Sequence, residues 1–164
     1  MPEINQSEER GPLERNVQAY LASNLSAALD EDLTLVGTEH PVPFGRIDIL
    51  ARDALGGLVV IELKLGTATR EAVGQLQSYM GALQVENPDT FIRGVLVAAS
   101  LDAGSEAALR MARDIEFTSY AITFEFDPGL KSPSTYAEWI SRRTPSSKPP
   151  ISKSNIWLPP SFQG

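Results

Sequence analysis

Two apolar segments, residues 46–52 (RIDILAR) and 58–64 (LVVIELK), stand on either side of DALGG. Isoleucine and valine favour extended backbone, and the paired glycines supply the reversal that a short loop needs, so this stretch predicts a β-hairpin. With residues 53–57 as the loop, Arg52 faces Leu58 and Asp48 faces Glu62. Side chains alternate along a strand, which puts Asp48, Glu62 and Lys64 on one face and Ile47, Ile49, Val59, Ile61 and Leu63 on the other, the core face. Opposed residues lie about 5 Å apart between Cβ atoms, and like charges there repel. Lys64 offsets part of that repulsion. A divalent cation offsets it fully, because hard ions such as Mg2+ or Mn2+ take carboxylate oxygens. Such an ion polarises a phosphoryl oxygen and acidifies a bound water, while an adjacent amine orients the water or stabilises developing charge. That is the chemistry of phosphodiester hydrolysis. An acid-x-lysine triplet by itself is also common on ordinary surface strands.

The surrounding pattern predicts the order α, β, β, β, α, β, α, β. Residues 13–29 carry Leu13, Val17, Tyr20, Leu21, Leu25, Ala28 and Leu29 at steps of three and four, an amphipathic helix. Residues 33–38 (LTLVGT) read as a strand ended by the turn PVPFG. After the hairpin, Thr67 or Thr69 can cap a helix with Glu71 in its first turn, running to about Val85 before Asn87 and Pro88. Residues 91–99 predict a buried strand, 105–113 a short helix and 117–126 a last strand. This is an α/β arrangement with a mixed central sheet flanked by helices, opening in a meander and closing in crossover units.

Charge divides the chain at about residue 130. Residues 1–130 hold 20 acids and 9 bases, whereas residues 131–164 hold Glu138 against Lys131, Arg142, Arg143, Lys148 and Lys153. The expected domains are accordingly a body, residues 1–130, and a Pro/Ser-rich basic C-terminal extension, residues 131–164. The extension reads as a linker, a solvated tail or an arm for a phosphate backbone or a protein partner, with Ile156, Trp157, Leu158 and Phe162 as docking residues. The acidic total argues against coating nucleic acid by electrostatics alone. There is no cysteine, hence no disulfide, and about 160 residues suffice for a core without a metal staple. The polar, acidic N-terminus is unlike a secretory signal and no apolar run reaches a membrane span, so the expected setting is cytoplasmic, with no membrane partner.

The stretch GRIDILARDALGGLVVIELKLGTATREAVGQLQSYMGAL resembles the catalytic core of the PD-(D/E)XK nuclease superfamily, and within it the C-terminal nuclease domain of NucS-type (EndoMS) DNA endonucleases. The similarity reaches back through LERNVQAYLASNL and covers residues 10–100. G-R-I-D, V-V-I-E-L-K and G-Q-x-x-x-Y in that order are far more specific together than apart. The resemblance implies a restriction-endonuclease-like αβββαβ core and a DNA endonuclease dependent on Mg2+ or Mn2+. It assigns Glu14 as the acid of the first helix, Asp48 and Glu62 as metal ligands with the backbone carbonyl of Leu63, and Lys64 as the catalytic lysine. Gln75 and Tyr79 become accessory polar residues of the following helix. One such site cuts one strand, so cutting both requires a homodimer or sequential nicks.

Three departures bear on what transfers. The nuclease helix starts close to Met1, whereas NucS-type enzymes place a DNA-binding domain first, so substrate preference and mismatch specificity do not transfer. Leu65 stands where relatives often have a basic residue, removing one phosphate contact. The body is acidic. A second expectation is therefore a nuclease-like module that binds DNA or a protein partner in a repair or defence assembly without cutting. His40 reads as an exposed turn residue, Glu39 as a loop acid, and Arg93, Arg110 and Arg113 as solvent-facing. Trp139 and Trp157 read as residues that close a core more often than they stack on bases.

Overall fold

The predicted hairpin is the centre of the computed structural model, which describes residues 11–127, 129 and 135–143. β2 (Gly45–Asp53) pairs antiparallel with β3 (Leu58–Leu63), Arg52 facing Leu58 and Ile49 facing Ile61, the register expected from the DALGG loop. Asp53 closes that loop, accepting from the Leu55 and Gly57 amides. The chain begins with α1 (Pro12–Ser23), α2 (Leu25–Leu29) and β1 (Leu33–Val42) and, after β3, continues through β4 (Thr67–Ala68), α3 (Arg70–Glu86), β5 (Ile92–Ala98), β6 (Ser100–Leu101), α4 (Ala103–Met111) and β7 (Ile115–Ser119). One mixed sheet runs β1-β2-β3-β5-β7, antiparallel through β3 and parallel from β3 onward, while β4 and β6 form a small separate ladder. The expected α/β architecture is the observed one.

Two cores cover the two faces. On one, α3 lays Ala72, Val73, Leu76, Tyr79 and Leu83 against Leu50, Leu58, Val60, Ile92 and Leu96, with Ala108 and Leu109 of α4 alongside. On the other, Leu21 and Leu25 meet Ile49, Ala51, Val59, Ile61, Leu63, Val95 and Val97. Every residue of β3 is buried, which explains its unbroken apolar run: a strand covered on both faces loses the polar alternation of a half-exposed one.

Several elements differ from expectation for identifiable reasons. The first helix is two, broken at Asn24, whose backbone leaves helical geometry while its side chain donates to the Tyr20 carbonyl. Tyr20 is 69% exposed, because the face that meets the sheet carries Gln18, Leu21 and Leu25 instead. β1 extends to Val42 through His40 and Pro41, so His40 is a half-buried strand residue rather than a turn residue. β1 is an edge strand, where proline's missing N–H is tolerated. Thr69, not Thr67, precedes α3. The Thr69 and Arg70 side chains hydrogen-bond the exposed Glu71 carboxyl and lower its pKa to about 2. Asp102 starts α4 ahead of expectation by accepting from the Ser105 amide at 2.7 Å. β7 begins at Ile115 and stops at Ser119 opposite Ala98, the last residue of β5, so the alternating residues beyond have no neighbouring strand among the described residues. Phe126 is 89% exposed.

The molecule divides into the unit Met1–Ile122 and the unit Thr123–Gly164. In the second, α5 (Thr135–Ser141) bears Trp139, which is half exposed and has the Arg143 guanidinium 4.7 Å from its ring centroid instead of closing a core. Residues 144–164 of the expected basic extension, with Ile156, Trp157, Leu158 and Phe162, lie outside the described residues, as does Lys131. Among the described residues no helix is long and apolar enough to cross a membrane.

Gly94 lets α3 sit close on β5: a Cβ there would stand 3.0 Å from Leu76 Cγ and 2.8 Å from Met80 Sδ. Met80 can swing aside, but Leu76 is fully buried. Gly94→Ala is expected to destabilise the fold by about 1–3 kcal/mol through overpacking, read as a lower urea midpoint at an unchanged m-value.

Candidate active site

Beyond Ile49 and Ile61 the hairpin comes apart, and this opening builds the site. The next ladder bond would run from the Leu63 amide to β2's main chain. Instead Leu63 N–H donates to Asp48 Oδ2 at 2.7 Å, so a carboxylate occupies the acceptor position of a backbone carbonyl. Alternation breaks at the same point. Ile47, expected beside Ile49, packs in the α3 core, whereas Ile49, Val59, Ile61 and Leu63 keep the face shared with α1 and α2. β1 is irregular here too: Glu39, at the position between the Thr38–Ile49 and His40–Ile47 pairs, has φ +51°, a left-handed backbone rare for a residue with a side chain.

Gln18 of α1 ties these pieces together. Its amide donates to the Asp48 carbonyl at 2.8 Å and to Glu39 Oε1 at 2.9 Å, and Arg46 approaches the other Glu39 oxygen at 3.8 Å. Gln18 was not singled out in the sequence. The available signal was a buried-face polar residue, one step after Val17 and three before Leu21, in a helix otherwise apolar on that side. Glu39, set aside as a loop acid, is a partner in this network.

On the α3 face the polar groups form a chain. Lys64 Nζ lies 3.0 Å from Glu62 Oε1 and donates to Gln75 Oε1 at 3.1 Å, and Gln75 Nε2 donates to the Tyr79 hydroxyl at 2.7 Å. Gln75 and Tyr79 are one turn apart on α3, as their spacing requires. Tyr79 is buried in the core, so the phenol is a packed residue with a polar tip, while Gln75 is half-buried. Asp48 and Glu62 are fully buried, and the Lys64 side chain, 31% exposed, opens the site toward solvent. The structure thus brings Asp48, Glu62, Leu63, Lys64, Gln75 and Tyr79 together. Glu14 is half-buried on α1, one turn before Gln18. Among the described residues no group of three or more acidic, histidine or cysteine side chains is arranged to hold a metal.

The donor chemistry nevertheless suits a hard cation. The N–H and C=O of one strand residue leave the same edge, so the Leu63 carbonyl projects toward the side on which its amide meets Asp48. Two buried carboxylates and a carbonyl make an all-oxygen set of the type that Mg2+ or Mn2+ takes.

The family model described as the Endonuclease NucS C-terminal domain matches residues 13–132. The chain belongs to this family. The match runs past the stretch 10–100 legible by resemblance and takes in α4 and β7. Endonuclease NucS of Pyrococcus furiosus is 33% identical over 117 residues, 57% of this chain and 43% of that protein. Endonuclease NucS of Corynebacterium kroppenstedtii is 32% identical over 130 residues, 77% of this chain and 49% of that protein. Among solved structures, a repair endonuclease from Pyrococcus abyssi is 29% identical with a TM-score of 0.58, covering 68% of this chain and 47% of that one. A complex of EndoMS with double-stranded DNA is 30% identical with a TM-score of 0.60, covering 68% of this chain and 46% of that one. The chain spans about half the length of the relatives it matches.

The glycine that opens the G-R-I-D segment has a local cause. Gly45 has φ +151°, and a Cβ on it would lie 2.6 Å from the Tyr79 hydroxyl. Gly45→Ala is expected to lose about 1–3 kcal/mol by overpacking. Adding Tyr79→Phe removes the clashing oxygen and should recover part of that loss, a coupling read by a double-mutant cycle in urea.

Proposed function

We propose that the protein is a metal-dependent DNA endonuclease acting through this site. The observation that carries the reading is the placement of Lys64 Nζ, 3.0 Å from Glu62 Oε1 and 3.1 Å from Gln75 Oε1, beside the strand opening that holds Asp48. The names of its relatives, Endonuclease NucS and an EndoMS bound to double-stranded DNA, support DNA as the substrate class. Asp48, Glu62 and the Leu63 carbonyl would hold Mg2+ or Mn2+. When bound there, the ion supplies Lewis-acid polarisation of a phosphoryl oxygen and a more acidic water.

The chain's own residues do the rest. An ammonium has three N–H donors; one goes to the Gln75 amide oxygen, and the ion pair with Glu62 holds the amine beside the carboxylate. A further N–H is available to a phosphoryl oxygen or to the attacking water, where it stabilises charge as the phosphorus–oxygen bond to the leaving group breaks. Gln75 sets the direction of the amine, and Tyr79 sets the amide orientation of Gln75. Burial of both carboxylates keeps competing water off their oxygens, leaving access on the Lys64 side. We place this activity in the cytoplasm. Two copies, or two successive nicks, would be needed to cut both strands, and the extension after residue 143 is a candidate contact for a protein partner.

The test is incubation of the purified chain with single-stranded, double-stranded and flapped DNA, with and without Mg2+ or Mn2+. Cleavage is expected only with the ion, and Glu62→Ala and Lys64→Ala should each lower it by about 100-fold or more. Equal cleavage by the variants rejects the assignment. A gel shift without cleavage under either ion favours the module that binds without cutting.

A further inference from the structure

The turn after β3 places the Lys64 amine, and its main chain is secured by a residue from the far end of the sheet. Lys64 N–H donates to the Val97 carbonyl at 2.9 Å, and the Gly66 carbonyl accepts from Ala99 N–H at 2.8 Å. Those bonds hold one half of the turn to the end of β5. The other half, the Lys64 carbonyl and the Gly66 amide, meets a single atom, the Tyr120 hydroxyl, which donates to the carbonyl at 3.2 Å and accepts from the amide at 3.3 Å. Gly66 takes φ +74° to make this possible, bringing its amide round to the oxygen that also serves Lys64. Tyr120 follows β7 directly. Its own amide donates to the Ala98 carbonyl at 3.2 Å, and its ring packs against the core that contains Leu63 and Val97. The hydroxyl is therefore delivered by a packed ring on a paired backbone, and a phenol is one of the few side chains that both donates and accepts through one atom.

We propose that Tyr120 is a positioning residue for Lys64, acting through the main chain of residues 64–66; as a catalytic role this rests on the nuclease reading above. A catalytic amine must be held to within about half an ångström to be effective, and its own side chain has four rotatable bonds, so the backbone from which it departs has to be stationary. Tyr120 supplies the two bonds of that turn that β5 does not.

Tyr120→Phe keeps the ring and deletes both bonds. A neutral hydrogen bond corresponds to a factor of roughly three to ten, which sets the expected fall in kcat, with KM unchanged. In a Lys64→Ala background the same substitution should cost nothing more, because the residue being positioned is gone. An independent readout is the acylation rate of the Lys64 amine by acetic anhydride, followed by peptide mapping without DNA or metal. That rate should rise several-fold relative to the other lysines in Tyr120→Phe, while the melting temperature changes little. An unchanged kcat, or an equal fall with and without Lys64, overturns the proposal. If the unaltered protein cleaves no DNA under any divalent ion, it is the nuclease reading that fails. The acylation rate then decides the positioning role alone: a rise supports it and no change overturns it.

Discussion

A backbone amide bonded to a carboxylate where a strand partner should be is the constraint on which the site depends. Had Leu63 N–H found the main chain of β2, the hairpin would have stayed closed and Asp48 would have projected as an ordinary strand acid. By accepting that bond at 2.7 Å, Asp48 satisfies a buried donor and is itself oriented. Burying a carboxylate is costly unless it is well bonded, so the exchange is stable only while β2 is held away from β3. Gln18 and Glu39 do this from the other side, at 2.8 and 2.9 Å, and the left-handed backbone of Glu39 is part of the cost. In open α/β sheets, ligand sites form where the carboxyl ends of neighbouring strands part company. Here β3 continues in parallel with β5 while its antiparallel neighbour peels off, and the acids and the lysine lie along that divergence.

The helix that covers one face of the sheet also sets the polar side of the site. α3 is seated by Val73, Leu76 and Leu83 and by the bare backbone of Gly94, which together decide its height over β5. Once that height is set, the rotation of the helix places Gln75 at 3.1 Å from the Lys64 amine and the Tyr79 hydroxyl against Gly45. A methyl group added at either glycine would therefore be felt in packing and in the polar chain, because close-packed interiors transmit small displacements instead of absorbing them.

How much of this a reader of the sequence sees follows from the range of each interaction. The Asp48–Glu62–Lys64 group was legible because a glycine loop and strand alternation are local, and so was the Gln75–Tyr79 pair, one helical turn apart. The order of the elements came from periodicity together with turn and helix-cap signals, and the resemblance implied the αβββαβ core. The strand opening was not legible: alternation gives Ile47 the wrong face, and the cause lies in long-range side-chain bonds, from the Leu63 amide to the Asp48 carboxylate and from Gln18 to the Asp48 carbonyl. Tyr120 is invisible for the same reason, being more than fifty residues from the turn it holds. The ends of β1 and β7 were misjudged because a strand stops where its neighbour does. His40 and Pro41 lie on an edge that tolerates them, and residues 121–126 keep an alternating pattern with no neighbouring strand among the described residues.

Electrostatics decides which of the arginines can serve a polyanion. The body is strongly acidic, yet at physiological salt charges more than about 8 Å away are largely screened, so the groups beside the site matter more than the total. Arg93, grouped in the sequence with solvent-facing arginines, is instead mostly buried between Glu31 and Glu116. Releasing it would strand a charge in a poorly hydrated place, which is strongly unfavourable. Arg46 and Arg70 are different. Each is more than half exposed and paired with a similarly accessible acid, Glu39 at 3.8 Å and Glu71 at 3.0 Å. Exposed pairs of this kind contribute about 0–1 kcal/mol, so a phosphate can replace the carboxylate at almost no cost. Arg46 also adjoins Gly45, whose missing Cβ leaves room for the Tyr79 hydroxyl at the end of the polar chain. A cation held loosely at the mouth of a site and a cation locked into the fold look alike in sequence, and burial is what separates them.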